Sequence, residues 1–367
     1  MDEKYIELAI NLAEKGRGSV SPNPLVGAVI VKENKVIGKG YHEKFGGMHA
    51  EINALNNTNE SVFGATMYVN LEPCSHFGKT PPCVDKIIES GISKVVIGMK
   101  DPNPLVSGKG IEKLIKSGID VTVGVLEEKC KRLNEIFIKY ITYKVPFVVM
   151  KFAMSLDGKI STYTGDSKWI SSEISRKKVH ILRNNLSGIM VGINTVIKDN
   201  PKLTCRLENG KNPVRIIVDS TLKIPLVSNV IQDKKAKTII ATTNKASIEK
   251  INYLQNIGIK ILITKEKNGK VDLEELMIKL GELGIDSILL EGGGELNFSV
   301  LSLNLVDKVE AFISPKLIGG KDSKTPVEGK GVEKIHNAFN LKNTTVDILD
   351  EDILIKGYIG REKCLQE

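Results

Sequence analysis

Short apolar runs rich in Val and Ile alternate along the chain with stretches whose apolar residues recur at helical spacing, a pattern that predicts α/β layers on a largely parallel sheet. Ile6, Ala9, Ile10 and Ala13 fall on one face of a predicted helix over 2–15. Strands at 26–31 and 36–41 follow, joined by a tight hairpin at Asn34-Lys35. A helix opens near His49, a strand runs 66–71, another helix opens near Cys83, and strands follow at 94–99 and 121–125, which makes a complete α/β sandwich. A helix over 126–140 leads to Lys144-Val145-Pro146, where the proline predicts a boundary. Beyond it lie a strand at 147–154, a helix at 172–184, strands at 188–192, 215–218, 238–241, 260–263, 287–290 and 309–313, and an apolar helix after the glycines at 292–294. The expected division is two domains, 1–144 and 146–361, the second being the larger.

The length of 367 residues agrees with two domains, and 41% hydrophobic with 26% charged residues is the mixture of a globular protein. Disordered, collagen-like and coiled-coil classes are thereby excluded. The longest apolar stretch, 145–154, is too short for a bilayer and is interrupted by Pro146 and Lys151, so no membrane span is expected. Met1-Asp2-Glu3-Lys4 opens no apolar leader, which predicts a cytoplasmic protein. Five cysteines without such a leader then point to metal or thiol chemistry rather than disulfides. The net charge of +8 fits an anionic partner. Up to residue 144 there are 19 basic and 17 acidic side chains, against 33 and 27 beyond it, so the second domain is the candidate for a heavily phosphorylated ligand.

One constellation carries specific chemistry. His49-Ala50-Glu51 precedes Glu72-Pro73-Cys74 and then Pro82-Cys83, giving one imidazole and two thiols in order with a carboxylate beside the imidazole. This is the order of ligands in zinc-dependent deaminases, although eight residues rather than two separate the cysteines here. An imidazole and two thiolates leave the fourth position of a tetrahedral zinc open for water, whose pKa falls to roughly 7 there. Glu51 then passes a proton from that water to the substrate ring nitrogen and on to the departing ammonia. Cys83 at a helix start gains thiolate character from free N–H groups and the helix dipole. The competing readings are a helix histidine with two buried core thiols, and a structural zinc with His76 as the fourth ligand.

Further segments extend the match. Asn23-Pro24, Val26-Gly27, Gly40-Tyr41-His42, the run Gly46 to Glu51 and the run Glu72 to Cys83 resemble the riboflavin-biosynthesis deaminase, whose own variant is the long loop between the cysteines. Lys151 to Gly158, Val191 to Thr195, Asp199 to Thr204 and Glu291 to Gly294 are similar to its fused reductase. The resemblance spans essentially the whole chain. It implies a cytidine-deaminase-like three-layer α/β/α domain and a dihydrofolate-reductase-like α/β domain. It also implies a bifunctional enzyme. The first domain would deaminate 2,5-diamino-6-ribosylamino-4(3H)-pyrimidinone 5′-phosphate with one zinc per chain; the second would reduce the ribosyl side chain to ribityl with NADPH.

Carried onto this sequence, the resemblance puts zinc on His49, Cys74 and Cys83, proton transfer on Glu51, and the deaminase pocket on Asn23, His42, His76, Lys79 and Asn103. For the reductase it implies substrate contacts at Ser167, Arg183, Leu203, Arg206 and Glu291. Cofactor contacts fall on Ala153, Trp169, Thr195, Asp199, Ser220, Gly293, Gly294, Glu295, Leu296, Asn297, Phe298 and Ser299. Arginines suit a 5′-phosphate because a planar guanidinium meets its oxygens bidentately. The expected partner is a small phosphorylated pyrimidine, with no nucleic acid and no membrane, and the resemblance implies a homo-oligomer. Asp157-Gly158 is equally a plain turn. The alternatives are a zinc deaminase of nucleic acid with a C-terminal RNA-binding domain, against which stand 5% aromatics and dispersed lysines, and a non-catalytic zinc module, which leaves Glu51 unexplained.

Overall fold

The computed structural model describes residues 1–75, 82–103 and 106–360. The chain divides into two units, Met1–Lys144 and Val145–Glu367. In the first, α1 (Asp2–Ala13) is followed by the antiparallel pair β1 (Gly27–Lys32) and β2 (Lys35–Tyr41), and then by α2 (Ala50–Asn56) and β3 (Thr66–Leu71). Next come α3 (Cys83–Glu89), β4 (Lys94–Met99), α4 (Lys109–Lys116), β5 (Asp120–Val123), α5 (Glu127–Leu133) and α6 (Glu135–Tyr143). The sheet order is β2-β1-β3-β4-β5, with β3, β4 and β5 parallel.

Glycines determine how closely helices approach this sheet. A Cβ on Gly27 would collide with the Ala9 carbonyl of α1, and one on Gly40 with the backbone of α2 at Ala50 and Ala54. Gly40 pairs with Ala28, so it faces the same side as Ala28 and the side opposite to Gly27. α1 and α2 therefore cover opposite faces, which is the three-layer arrangement expected.

Two local expectations are corrected. The hairpin turns at Glu33-Asn34, one residue earlier than Asn34-Lys35, because both central residues take positive φ (49° and 63°) and Lys32 pairs with Lys35. A type I′ turn needs that geometry at both positions, and asparagine tolerates it. The helix expected over 126–140 is two helices broken at Asn134, which leaves helical geometry at φ −103°, ψ 19°. Asn134 is buried, its Oδ1 accepting from Leu25 N at 2.8 Å and its Nδ2 donating to Leu25 O at 3.0 Å. Asn70, on β3, serves the same stretch, accepting from Gly27 N at 2.8 Å and donating to Leu25 O at 2.9 Å. The segment that carries Asn23 is thus pinned by two buried amides.

The second unit runs β6 (Phe147–Ser155), α7 (Glu173–Asn185), β7 (Gly188–Gly192), α8 (Ile193–Asp199), β8 (Val214–Val218), α9 (Asn229–Gln232), β9 (Thr238–Thr242) and α10 (Ile248–Asn256). It continues with β10 (Lys260–Ile263), the short pair β11 (Glu266–Lys267) and β12 (Lys270–Val271), α11 (Leu273–Glu282), β13 (Ser287–Gly292), α12 (Gly294–Ser302), β14 (Lys308–Ser314), β15 (Leu341–Leu349) and β16 (Asp352–Ile359). Nine strands form one sheet in the order β10-β9-β8-β7-β13-β6-β14-β16-β15, parallel except where β16 joins β14 and β15. Ligands of such sheets sit outside the carboxyl ends of the strands, and there β6, β7 and β13 lie side by side. Among the described residues no helix is long and apolar enough to cross a membrane.

Replacing Asn134 with Ala leaves the buried Leu25 N–H without an acceptor, so the first unit should lose about 1–3 kcal/mol of stability. Urea unfolding followed on that unit checks this; an unshifted midpoint would mean that water replaces the amide.

Candidate active sites

In the first unit three segments deliver three donors. His49 stands immediately before α2 in extended geometry (φ −73°, ψ 161°), so its ring is free of the helix spacing that keeps residues two apart on different faces. Cys74 follows β3, and Cys83 is the first residue of α3. His49 Nδ1 lies 3.2 Å from Cys83 Sγ and 3.5 Å from Cys74 Sγ, and all three donor atoms fall within 4.8 Å of one another. The N–H of Cys83 points at Cys74 Sγ at 3.4 Å.

The electrostatics are those of a cation site. A hydrogen bond from Cys83, together with one to His49, holds the Cys74 thiol down at about 4, while Cys83, which keeps the shared proton, is pushed far up. A dication among these donors would displace that proton and take two thiolates and a neutral imidazole, so the donor set fits zinc. Glu51, in the first turn of α2, is 3% exposed; burial first, then the Cys74 charge, push its carboxyl up to about 7.

The pocket residues expected around this centre divide into three groups. His42 is buried, with Nδ1 2.9 Å from the Met48 carbonyl and Nε2 3.1 Å from Asn23 Nδ2. Nδ1–H donating to that carbonyl while Nε2 accepts from the amide is the neutral tautomer, which burial favours by lowering the ring's pKa. His42 therefore links Asn23 to the residue before His49, and its ring meets the His49 ring edge-on at 5.6 Å. Asn103 lies on the loop after β4, where its N–H donates to Asp101 Oδ1 at 2.8 Å. His76 and Lys79 lie outside the described residues.

In the second unit, the residues that the sequence assigns to one substrate are partly bound to each other. Arg183, on α7, grips Glu291 bidentately, Nε to Oε1 and Nη2 to Oε2, both at 2.8 Å, and its Nη1 donates to Thr204 O at 3.0 Å. Against burial, which alone would raise it, Arg183 holds the Glu291 carboxyl down at about 2. Arg206 instead bonds through Nε to His180 Nε2 at 2.9 Å, and its Nη atoms carry no hydrogen bond among the described residues. His180 shares the α7 face with Arg183; burial, then the two arginines, depress its pKa to about 4. Of the two arginines expected to contact substrate, Arg183 thus has its fork on Glu291, while Arg206 leaves its Nη atoms uncommitted among the described residues.

Lys151, within the reductase-like run Lys151 to Gly158, belongs to this cluster. Lys151 follows Met150, which pairs with Leu290 just before Glu291; burial lowers the lysine's pKa while the Glu291 charge raises it. Leu203 is 4% exposed with φ +50°, so its side chain packs inward and a ligand would meet its backbone. Ser167 and Trp169 lie on the exposed segment between β6 and α7. The Trp169 ring is covered by the Arg176 guanidinium at 4.6 Å, and Lys316 Nζ donates to the Trp169 and Ile170 carbonyls at 2.8 Å each.

The cofactor candidates gather at strand ends. Ala153 lies on β6, Thr195 and Asp199 on α8 directly after β7, and Ser220 just past β8. Gly292 closes β13 at φ 55° and Gly293 precedes α12 at φ 74°. A Cβ on Gly292 would strike Asn297 Oδ1, so the glycine run is a fixed strand-to-helix turn that exposes N–H groups. The last five expected contacts, Glu295 to Ser299, form the first turns of α12. Asp157 is a turn residue: it accepts from Ser155 Oγ and from Ile318 N and Gly319 N, and these bonds hold it down at about 2.

Known proteins match both units. Residues 1–99 match the cytidine and deoxycytidylate deaminase zinc-binding region, and residues 146–355 match the RibD C-terminal domain. The riboflavin biosynthesis protein RibD of Actinobacillus pleuropneumoniae is 49% identical over 96% of this chain and 94% of its own, and that of Escherichia coli is 36% identical over 96% and 98%. A diaminohydroxyphosphoribosylaminopyrimidine deaminase/5-amino-6-(5-phosphoribosylamino)uracil reductase from Thermotoga maritima superposes with a TM-score of 0.84 at 41% identity, covering 98% of this chain and 99% of that one. RibD of Acinetobacter baumannii gives 0.88 at 32% with the same coverage.

Purified chain should carry one zinc, and Cys74→Ser or Cys83→Ser should lose it, because a hydroxyl does not replace a thiolate ligand. Metal analysis of the double variant decides the matter: a full complement of zinc there would remove these residues from the site.

Proposed function

This chain belongs to the RibD family of riboflavin biosynthesis, bifunctional enzymes with a deaminase and a reductase domain, and on that premise we propose which of its residues carry each step. The first unit deaminates the 2,5-diaminopyrimidinone ribotide, with His49 Nδ1, Cys74 Sγ and Cys83 Sγ as the residues that would hold zinc. Zinc bound there supplies a water acidic enough to react near neutral pH. Everything else is the work of the chain. Hydrolysis requires one proton to reach the ring nitrogen and another to leave with ammonia. Glu51, buried in the first turn of α2 two residues after His49, is the carboxyl placed to take a proton from that water and release it again, which is its role. The observation that carries this reading is the burial of Glu51 against the three converging donors. His42 acts by fixing the Asn23 amide, and Asn103 contributes from the opposite loop.

The second unit reduces the ribosyl side chain of the deaminated product, with NADPH as the hydride source. Ala153, Thr195, Asp199, Ser220 and the turn at Gly293 would hold the cofactor, and Trp169 would border it. Arg206, with its Nη atoms uncommitted, takes the 5′-phosphate. Arg183 keeps Glu291 ionised and oriented toward the sugar, and Lys151 near it is a half-buried ammonium able to give a proton to a sugar oxygen. A homo-oligomer, as the resemblance implied, and a cytoplasmic location are part of this reading. The RNA-binding alternative has lost its premise, since the RibD C-terminal domain match occupies the half assigned to RNA.

Supplying the diaminopyrimidine ribotide with NADPH and following ammonia and NADPH separately tests both halves. Glu51→Gln should retain zinc but lose about 10²- to 10⁴-fold in ammonia release, with reduction of pre-deaminated substrate intact. Near-normal ammonia release would demote Glu51 to a bystander. Arg206→Ala should raise the reductase KM by at least about tenfold, the scale of a lost charged contact, with NADPH affinity and deamination unchanged. Normal reductase kinetics in that variant would take the phosphate away from Arg206.

A further inference from the structure

Glu72 stands two residues before Cys74, just past β3, and its carboxylate is buried. One oxygen accepts from the backbone N–H groups of Asp101 (3.2 Å) and Gly108 (3.0 Å), the other from those of Gly110 (3.0 Å) and Ile111 (3.3 Å). Gly108 directly precedes α4, so the carboxylate gathers donors that the first turn of that helix leaves without an internal partner. The Asp101 bond reaches further, because it fastens the other end of the same loop to the same anion. Between the two ends lies Asn103, its N–H turned onto Asp101 and its carbonyl accepting from Val106 and Ser107 at 2.9 Å each. Gly110 permits the approach: a Cβ there would run into the Pro73 carbonyl and press on the Glu72 carboxylate.

We propose that Glu72 is a positioning residue of the deaminase centre, which ties both ends of the Asn103 loop to the strand end that carries Cys74 and so sets the pocket wall against the metal ligands. The inference rests on the reading of Asn103 as a substrate contact. The β3–β4 ladder, with Leu71 opposite Met99 and the Glu72 N–H on the Met99 carbonyl at 3.0 Å, already brings the Asp101 end of the loop beside the strand end; the α4 end lies beyond that ladder, and the bonds of Gly108, Gly110 and Ile111 to the same buried carboxylate that takes Asp101 N–H tie it there.

Glu72→Gln tests this in the full-length protein. The amide keeps one accepting oxygen and turns an NH2 group toward two N–H donors, so half of the clamp becomes repulsive. The deaminase KM should rise at least about tenfold while kcat stays within about threefold, as expected for lost ground-state positioning. Zinc should remain at one per chain, and reduction of pre-deaminated substrate should be unchanged. Asn103→Ala, measured in parallel, should raise the same KM; an unchanged value overturns the reading of Asn103. An unchanged KM in Glu72→Gln while Asn103→Ala is impaired overturns the role of Glu72. So does a parallel loss of zinc and kcat, which would make Glu72 a support of Cys74 instead. Should Glu72→Gln not accumulate folded, Gly110→Ala leaves the carboxylate in place, displaces the helix start and is read by the same KM and kcat.

Discussion

Three donor atoms from three separate segments must be held within 4.8 Å of one another, and most of the first unit is explained by that requirement. Like-charged thiolates repel, so a site of this kind persists only when the surrounding fold fixes its ligands more firmly than they push apart. Here Cys74 lies three residues past the end of β3, α3 begins with Cys83, and the residue before α2 is His49, so each ligand sits at or close to the end of a regular element packed on the sheet. Helix starts are suited to this, since their unpaired N–H groups face the sulfur, as the Cys83 N–H faces Cys74. Glycines at 27 and 40 let α1 and α2 press close enough on opposite faces for those boundaries to be rigid.

The second unit meets a different problem, the accumulation of positive charge without self-repulsion. Lys151, Arg183 and Arg206 lie around His180, which stays neutral because it is buried and already surrounded by cations. Glu291 offsets part of that charge from within the cluster, and the bidentate grip of Arg183 keeps it ionised. The remaining cation, Arg206, keeps the outer edge of its guanidinium open for an anion. The cofactor candidates occupy the carboxyl ends of adjacent parallel strands, where loops and helix starts leave backbone donors exposed.

Legibility differed between levels. Strand positions were readable nearly throughout the parallel core, because strands buried on both faces are continuous apolar runs, as in Val148 to Met150 and Ile288 to Leu290. The break at Asn134 was not, because a polar residue inside an amphipathic stretch looks the same whether it faces water or, as here, caps a backbone more than a hundred residues away. The closing pair β15 and β16 also escaped, since much of β15 is exposed and carries no apolar run. Glu72 directly precedes Pro73-Cys74, and a carboxylate at the buried end of an apolar strand is the signal that singles it out.

By itself the sequence marked the identity of the family and the three side chains that converge as metal-ligand candidates, because ligand type and order along the chain are what a zinc site selects, and both survive in one dimension. Only the tertiary structure decided which charges neutralise which. Arg183 and Glu291 stand 108 positions apart, and no local rule says that an arginine suited to phosphate is already bound to a carboxylate. The same holds for Asn70, Asn134 and Glu72, whose partners are backbone groups. Every residue offers a backbone N–H and C=O, so the sequence cannot mark which of them a distant side chain will meet; packing of the layers alone brings them within hydrogen-bond reach.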